Sequence, residues 1–250
     1  MRINQIQFVN NFKLEEDLLL SHGPILQKMK NSLNGKLIIL NVPKSAPPPA
    51  PRALIQLKNC IINVALDKID ITIKPPPHVV HDYRSSGNFA HSIIESIISI
   101  FYEAQLQYEW SGIIATIEYP IGPQTLTAVK AVTRIYDKLI NVPRHNLDLV
   151  SFQLQFGFSE NNFYKNYSIG GYESRNVDLK DYALSPERRT VVINLEEFPI
   201  VESGLQISLD INNRPTPKKT LLEDLSDLFS EHYATFDGLG KKLNLEEFLK

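Results

Sequence analysis

Apolar residues recur along this chain with two periods, and the switch between them lays out its elements. Ile69, Ile71 and Ile73 alternate with Asp70 and Thr72, so this stretch predicts a strand with one wet face. Residues 53–57 and 60–66 read as strands before it, and Asp67 and Lys68 turn the chain between the second and third, giving a meander. The clearest alternation is Val150, Phe152, Leu154, Phe156 and Phe158, with Ser151, Gln153, Gln155 and Gly157 between them. Val191, Ile193 and Leu195, then Leu205, Ile207, Leu209 and Ile211, give two more strands of the same period. Residues 36–42 and 113–120 complete the strand set.

The helical period enters four times. Gly23-Pro24 suits a first turn, Ile25, Leu26, Met29 and Leu33 make one stripe, and Gly35 stands where a left-handed cap would end it. After Ser85 or Ser86 a second helix begins, with Ala90, Ile94, Ile97, Phe101, Ala104 and Tyr108 on one stripe and Trp110 and Gly112 closing it. Ile93, Ile98 and Ile100 widen that stripe, which predicts a central core helix packed by two of its sides. A third helix is expected over 125–140, with Ala128, Val132, Ile135 and Leu139 on one face. The last starts from Thr220 and Glu223 at capping-box spacing and buries Leu225, Leu228 or Phe229, His232 or Tyr233, and Phe236.

Runs of strands broken by single long helices lack the regular βα alternation of a doubly wound sheet. The expected class is α+β: a mixed or largely antiparallel sheet packed on a long apolar central helix. Two lobes are expected, residues 1–145 with the sheet and central helix and 146–250 with further strands and the C-terminal helix; one continuous domain is the alternative. Proline punctuates the chain more than glycine, at 16 residues against 11. Its densest cluster, residues 43–51, must run extended, because each Pro fixes φ and biases its predecessor away from helix. No Arg or Lys flanks a PxxP pair there in the register of a proline-rich ligand.

Composition narrows the function classes. With 250 residues and 43% apolar side chains, the chain can bury a sizeable core, and a net charge of −2 supplies no field to gather nucleic acid or anionic lipid. Neither nucleic acid nor membrane is therefore expected as a partner. The one cysteine, Cys60, lies in an apolar run and reads as an inert buried thiol. Met1 to Gln5 do not begin a targeting signal, so a cytoplasmic protein is expected.

Three of the six histidines fall within residues 78–91, in His78-Val79-Val80-His81-Asp82-Tyr83-Arg84 and then His91, with Glu95 one turn on. Imidazoles with a carboxylate can hold a zinc or iron ion, and His91 and Glu95 share a helix face. Equally, Arg84 before free helix N–H groups suits a phosphate or carboxylate, while Ser85 or Ser86 as a plain cap explains the same residues without a ligand. Solvated polar loop chemistry is the simplest account, so neither a metal nor another cofactor is expected.

Residues 161–175 form a polar, aromatic stretch holding Asn161, Phe163, Tyr164, Tyr167 and Tyr172. Such a composition on a loop builds adaptable recognition surfaces; the alternative is a hairpin whose tyrosines cover the sheet. The end of the chain, Phe236 to Phe248, has the outline of an EF-hand without its ligands, since Phe236, Gly238 and Gly240 stand at the first oxygen positions. A turn and a short tail helix are expected instead. Nucleotide-binding, serine-hydrolase and HExxH motifs are missing from the sequence.

Residues 62–73 (INVALDKIDITI), the strand 113–119 and residues 204–210 (GLQISLD) leading into 221–236 resemble a sporadically distributed family of bacterial proteins of about 250 residues whose function is uncharacterised. The resemblance covers about half the chain and implies no activity. Together these readings point to a non-catalytic cytosolic binding or interaction protein of the accessory, immunity or antitoxin type, with another protein or a second copy of itself as partner. The alternative is a metal- or anion-dependent enzyme or sensor built on His78, His81, Asp82, Arg84, His91 and Glu95.

Overall fold

Among the described residues, the alternating stretches pair into a nine-stranded antiparallel sheet in a computed structural model of the chain. The structure describes residues 1–14, 23–43, 45–102, 107–122, 130, 133–134, 136–137, 153–160, 162–176, 198–214 and 221–243. The strands are β1 (Arg2–Phe12), β2 (Lys36–Ile39), β3 (Ala53–Gln56), β4 (Cys60–Val64), β5 (Lys68–Ile73), β6 (Tyr108–Pro120), β7 (Gln153–Glu160), β8 (Phe163–Arg175) and β9 (Ile200–Asn212). Among the described residues the helices with defined bounds are α1 (Gly23–Ser32), α2 (Tyr83–Tyr102) and α3 (Leu221–Leu243). The strand order is β2-β3-β4-β5-β1-β6-β9-β8-β7.

The meander expected over residues 53–73 is present, with Ile55 opposite Ile62 and Ile62 opposite Ile71. Register is fixed by burial: Ile69, Ile71 and Ile73 lie within the core while Lys68, Asp70 and Thr72 face the other way. β1 follows the same rule, with Ile6, Phe8 and Phe12 buried and Phe8 paired to Ile71. Arg52, itself buried, reaches back with Nη2 to the Ala46 carbonyl at 2.9 Å and so ties the proline segment to the start of β3.

The central helix requires correction. α2 is not an apolar element buried on two sides but an amphipathic helix: Ala90, Ile94, Ile97 and Ile98 are buried, while Ser92, Glu95, Ser96 and Ser99 are exposed. Its serines fold their hydroxyls back onto helix carbonyls, Ser96 to Ser92 at 2.8 Å and Ser99 to Ser96 at 2.9 Å, and so the polar face needs no other partner. It also ends at Tyr102, and Tyr108, Trp110 and Gly112 belong to β6.

Of the two readings of residues 161–175, the structure shows the hairpin: residues 163–175 are strand beside β7, and Asn162 between them takes the left-handed conformation (φ 69°). One further expectation changes. α3 continues through Gly238 and Gly240 to Leu243, so no turn follows Phe236. The expected strand around 191–195, the Thr220 cap and most of the helix over 125–140 lie outside the described residues.

The chain divides into two compact units, each gathered from separate stretches. The first comprises Met1–Ile117, Gln155–Ser168 and Ser208–Leu243. The second comprises Glu118–Leu154, Ile169–Ile207 and Asn244–Lys250. In the second, Gly204 lies so close to the Tyr119 carbonyl that no Cβ would fit, and Tyr172 donates to Glu202 at 2.9 Å.

Candidate functional site

The histidine-rich segment does not form one constellation. His78 and His81 are exposed, and His81 Nδ1 lies 3.1 Å from the Met1 carbonyl. Asp82 is the cap of α2: the Ser85 N–H donates to its Oδ1 at 2.6 Å, and hydrogen bonds from the Ser85 side chain and backbone hold this carboxyl below its ordinary range. Ser86 instead turns inward and donates to the Val79 carbonyl at 2.8 Å. Arg84 pairs with Asp237 at 2.5 Å and lies over the Tyr233 ring, its guanidinium carbon 5.5 Å from the centroid. His91 faces Glu95 at 3.8 Å and sets its ring against the edge of Phe229. Of these side chains, Arg84 and His91 contact α3, Asp82 caps α2 and His81 lies by the Met1 carbonyl. Among the described residues, no three His, Cys, Asp or Glu side chains gather as a metal site.

The aromatic residues of 161–175 are divided by the strand period. Tyr167 stacks on Phe156 of β7 at 4.9 Å and meets the edge of Phe158, whereas Tyr164 is exposed and Phe163 half-buried. Asn161 lies outside the described residues. Beside Tyr167, Lys165 is buried and paired with Glu160 and Glu231. Burial works to lower its pKa, but the two carboxylates outweigh that and raise it.

Under α3 the core carries a set of polar groups with complete partners. The Tyr83 hydroxyl donates to His232 Nδ1, and His232 Nε2 donates to the Leu209 carbonyl at 3.1 Å, an arrangement that fixes the neutral imidazole. Burial pushes the His232 pKa down to about 4. Phe236 stacks on Tyr83, with ring centroids 3.8 Å apart. Nearby, Tyr108 donates to buried Asp224 at 2.5 Å and accepts from Asn213 at 2.7 Å. These groups brace the helices against the sheet. Cys60 is equally enclosed, and burial pushes its thiol up to about 12.

The face of the sheet turned away from these helices is different. There, in the first unit, Val9 and Asn11 of β1, Lys68 of β5, Trp110 and Ile114 of β6, and Asn212 of β9 line a cleft of about 280 Å³. Gly112 forms its floor: a Cβ at this position would stand 2.9 Å from Asn212 Cβ and 3.3 Å from the Ile211 carbonyl. Pro49 supplies a wall, and the Arg52 clamp on the proline segment holds that wall in place. Arg214 lies flat on Trp110, its guanidinium carbon 3.8 Å from the ring centroid.

Two amide atoms in this cleft are buried without a hydrogen-bond partner, Asn11 Nδ2 and Asn212 Oδ1. Asn212 is 97% buried. An unmet donor or acceptor of this kind costs about 1–3 kcal/mol. Asn212 Nδ2 is already engaged, donating to Asp210 Oδ1 at 3.3 Å, and Asn166 donates to Asp210 Oδ2 at 3.0 Å. Asp210 is thus held by two neutral amides, and among the described residues neither Lys68 nor Arg214 is paired with a carboxylate. The cleft therefore offers two cations, one occupied carboxylate, one free donor, one free acceptor and an indole.

Sequence reading passed over this site. Trp110 was visible only as a helix terminator, and the usable signal was asparagine in strand positions, where its β propensity is poor. No protein-family model matches the chain, and no curated protein sequence matches it.

Proposed function

We propose that this chain is a non-catalytic cytosolic binding protein, of the accessory, immunity or antitoxin type, that recognises another protein through the sheet face around Trp110. The observation that carries this reading is the cleft floored by Gly112, where Asn212 Oδ1 is buried and unmet beside Trp110 and Arg214. Tryptophan and arginine are the side chains that most often anchor protein interfaces, and a rigid strand platform preorganises them. A binding role also accords with the separate engagement of His81, Asp82, Arg84 and His91, each held by a neighbour rather than aimed at a common point.

The test is native mass spectrometry of the protein purified gently from its own cells, alongside Arg214→Glu. A stoichiometric second protein that is lost on Arg214→Glu is the expected result. A chain without any partner, or a partner retained by the variant, would overturn the assignment of this face. A bound transition metal lost on His81→Ala would replace the binding reading with the metal-dependent one.

A further inference from the structure

Resting on that reading, we infer that the cleft around Trp110 takes the carboxyl end of a polypeptide chain: a terminal carboxylate beside Lys68 and Arg214, with the preceding peptide group between Asn11 and Asn212. The unmet atoms define the ligand. Asn212 Oδ1 requires an N–H donor and Asn11 Nδ2 requires an acceptor, and a peptide group presents one of each. Lys68 and Arg214 are the cations of the cleft and Asp210 is the one carboxylate of its lining, so the lining keeps a net positive charge. An anion is therefore the charge complement.

A bare phosphate or sulfate fits less well, because its oxygens would meet the carbonyl oxygen of Asn212, one acceptor against another. The apolar remainder of the lining, Val9, Ile114 and Pro49, gives a side chain of the terminal residue a place to bury. At about 280 Å³ the cleft is at the small end of ligand sites, the size of a chain end rather than of a long extended segment.

Trp110 is the sole tryptophan of the chain, so its fluorescence reports this cleft directly. The protein is titrated with acetyl-alanyl-leucine carrying a free carboxylate, with the corresponding carboxamide, and with free leucine. The expected result is a saturable change in Trp110 emission for the carboxylate, at least tenfold tighter than for the carboxamide or free leucine. Arg214→Gln and Lys68→Met, both at positions with solvent access, are expected to abolish that preference while leaving the thermal midpoint in place.

Equal binding of carboxylate and carboxamide would overturn the carboxyl-end inference, as would tighter binding of free leucine, which would assign the cleft to an amino acid. An unresponsive Trp110 at millimolar peptide would overturn it too. If the co-purified protein is nonetheless lost on Arg214→Glu, the binding function stands and only the carboxyl end fails. If the carboxylate peptide binds and no protein co-purifies, the function fails and the site remains.

Discussion

The two faces of the sheet in the first unit put polar atoms to opposite uses. Beneath α2 and α3, Tyr83, His232, Tyr108 and Asp224 spend their hydrogen-bonding capacity on one another and on the Leu209 carbonyl. On the other face Asn11 and Asn212 keep a donor and an acceptor unspent, although Asn212 is as deeply enclosed as Asp224. Completed networks hold elements together, whereas an incomplete one is a standing cost that a ligand can remove. Burial alone does not separate the two cases, and neither does a single unmet atom, since Thr235 Oγ1 on α3 is also buried without a partner; the cleft differs in bringing an unmet donor and an unmet acceptor together.

The comparison breaks most sharply on neighbouring residues of β5. Ile71→Ala is expected to lower unfolding stability by about 2–5 kcal/mol, and Thr72→Ala, on the opposite face, by less than about 0.5 kcal/mol, in urea denaturation. Near-equal losses would show that the second face is packed as firmly as the first.

The next effect is a pH dependence. His232 is neutral in the fold, with its pKa lowered from 6.5 to about 4. The unfolded chain therefore binds a proton first as pH falls, and stability present above 6.5 is lost progressively toward pH 4. The loss attributable to this group is about 3 kcal/mol. His232→Gln, with stability measured from pH 7 to pH 4, is expected to flatten that slope; an unchanged slope would place the titration elsewhere.

Smaller changes sharpen the contrast. Tyr108→Phe removes the donor to buried Asp224 and is expected to cost about 1–3 kcal/mol in the same denaturation assay. Asn212→Val, by contrast, removes an unmet acceptor together with one long hydrogen bond to half-buried Asp210, and is expected to change stability by less than about 1 kcal/mol in either direction. A loss above about 2 kcal/mol on Asn212→Val would mean that this amide serves the fold after all.

How much of this the sequence announces depends on how local each feature is. The meander of β3, β4 and β5 was legible because each strand alternates cleanly and its neighbour in sequence is its neighbour in the sheet. The buried positions Ala90, Ile94 and Ile97 of α2 were legible for a similar reason. Its end was not, because Ala104 and Tyr108 continue the helical spacing by chance while the chain has already left for β6. Residues 163–175 resemble a loop in composition because polar side chains occupy both faces of β8. The cleft is the least legible feature, since Asn11, Lys68, Trp110 and Asn212 meet only after strands far apart in sequence have paired.

The position of β1 carries a kinetic consequence. β1, which precedes the other described strands in sequence, lies in the interior of the sheet, flanked by β5 and β6. Its partners begin at Lys68 and Tyr108, so β1 has both edges unpaired until the chain has been made past β5. The β2–β5 meander can close through short connections meanwhile, and docking β1 against it then becomes the high-contact-order step. Nascent chains stalled before β6 would expose Ile6 and Phe8 beside one open edge, the state in which this protein is most in need of a chaperone.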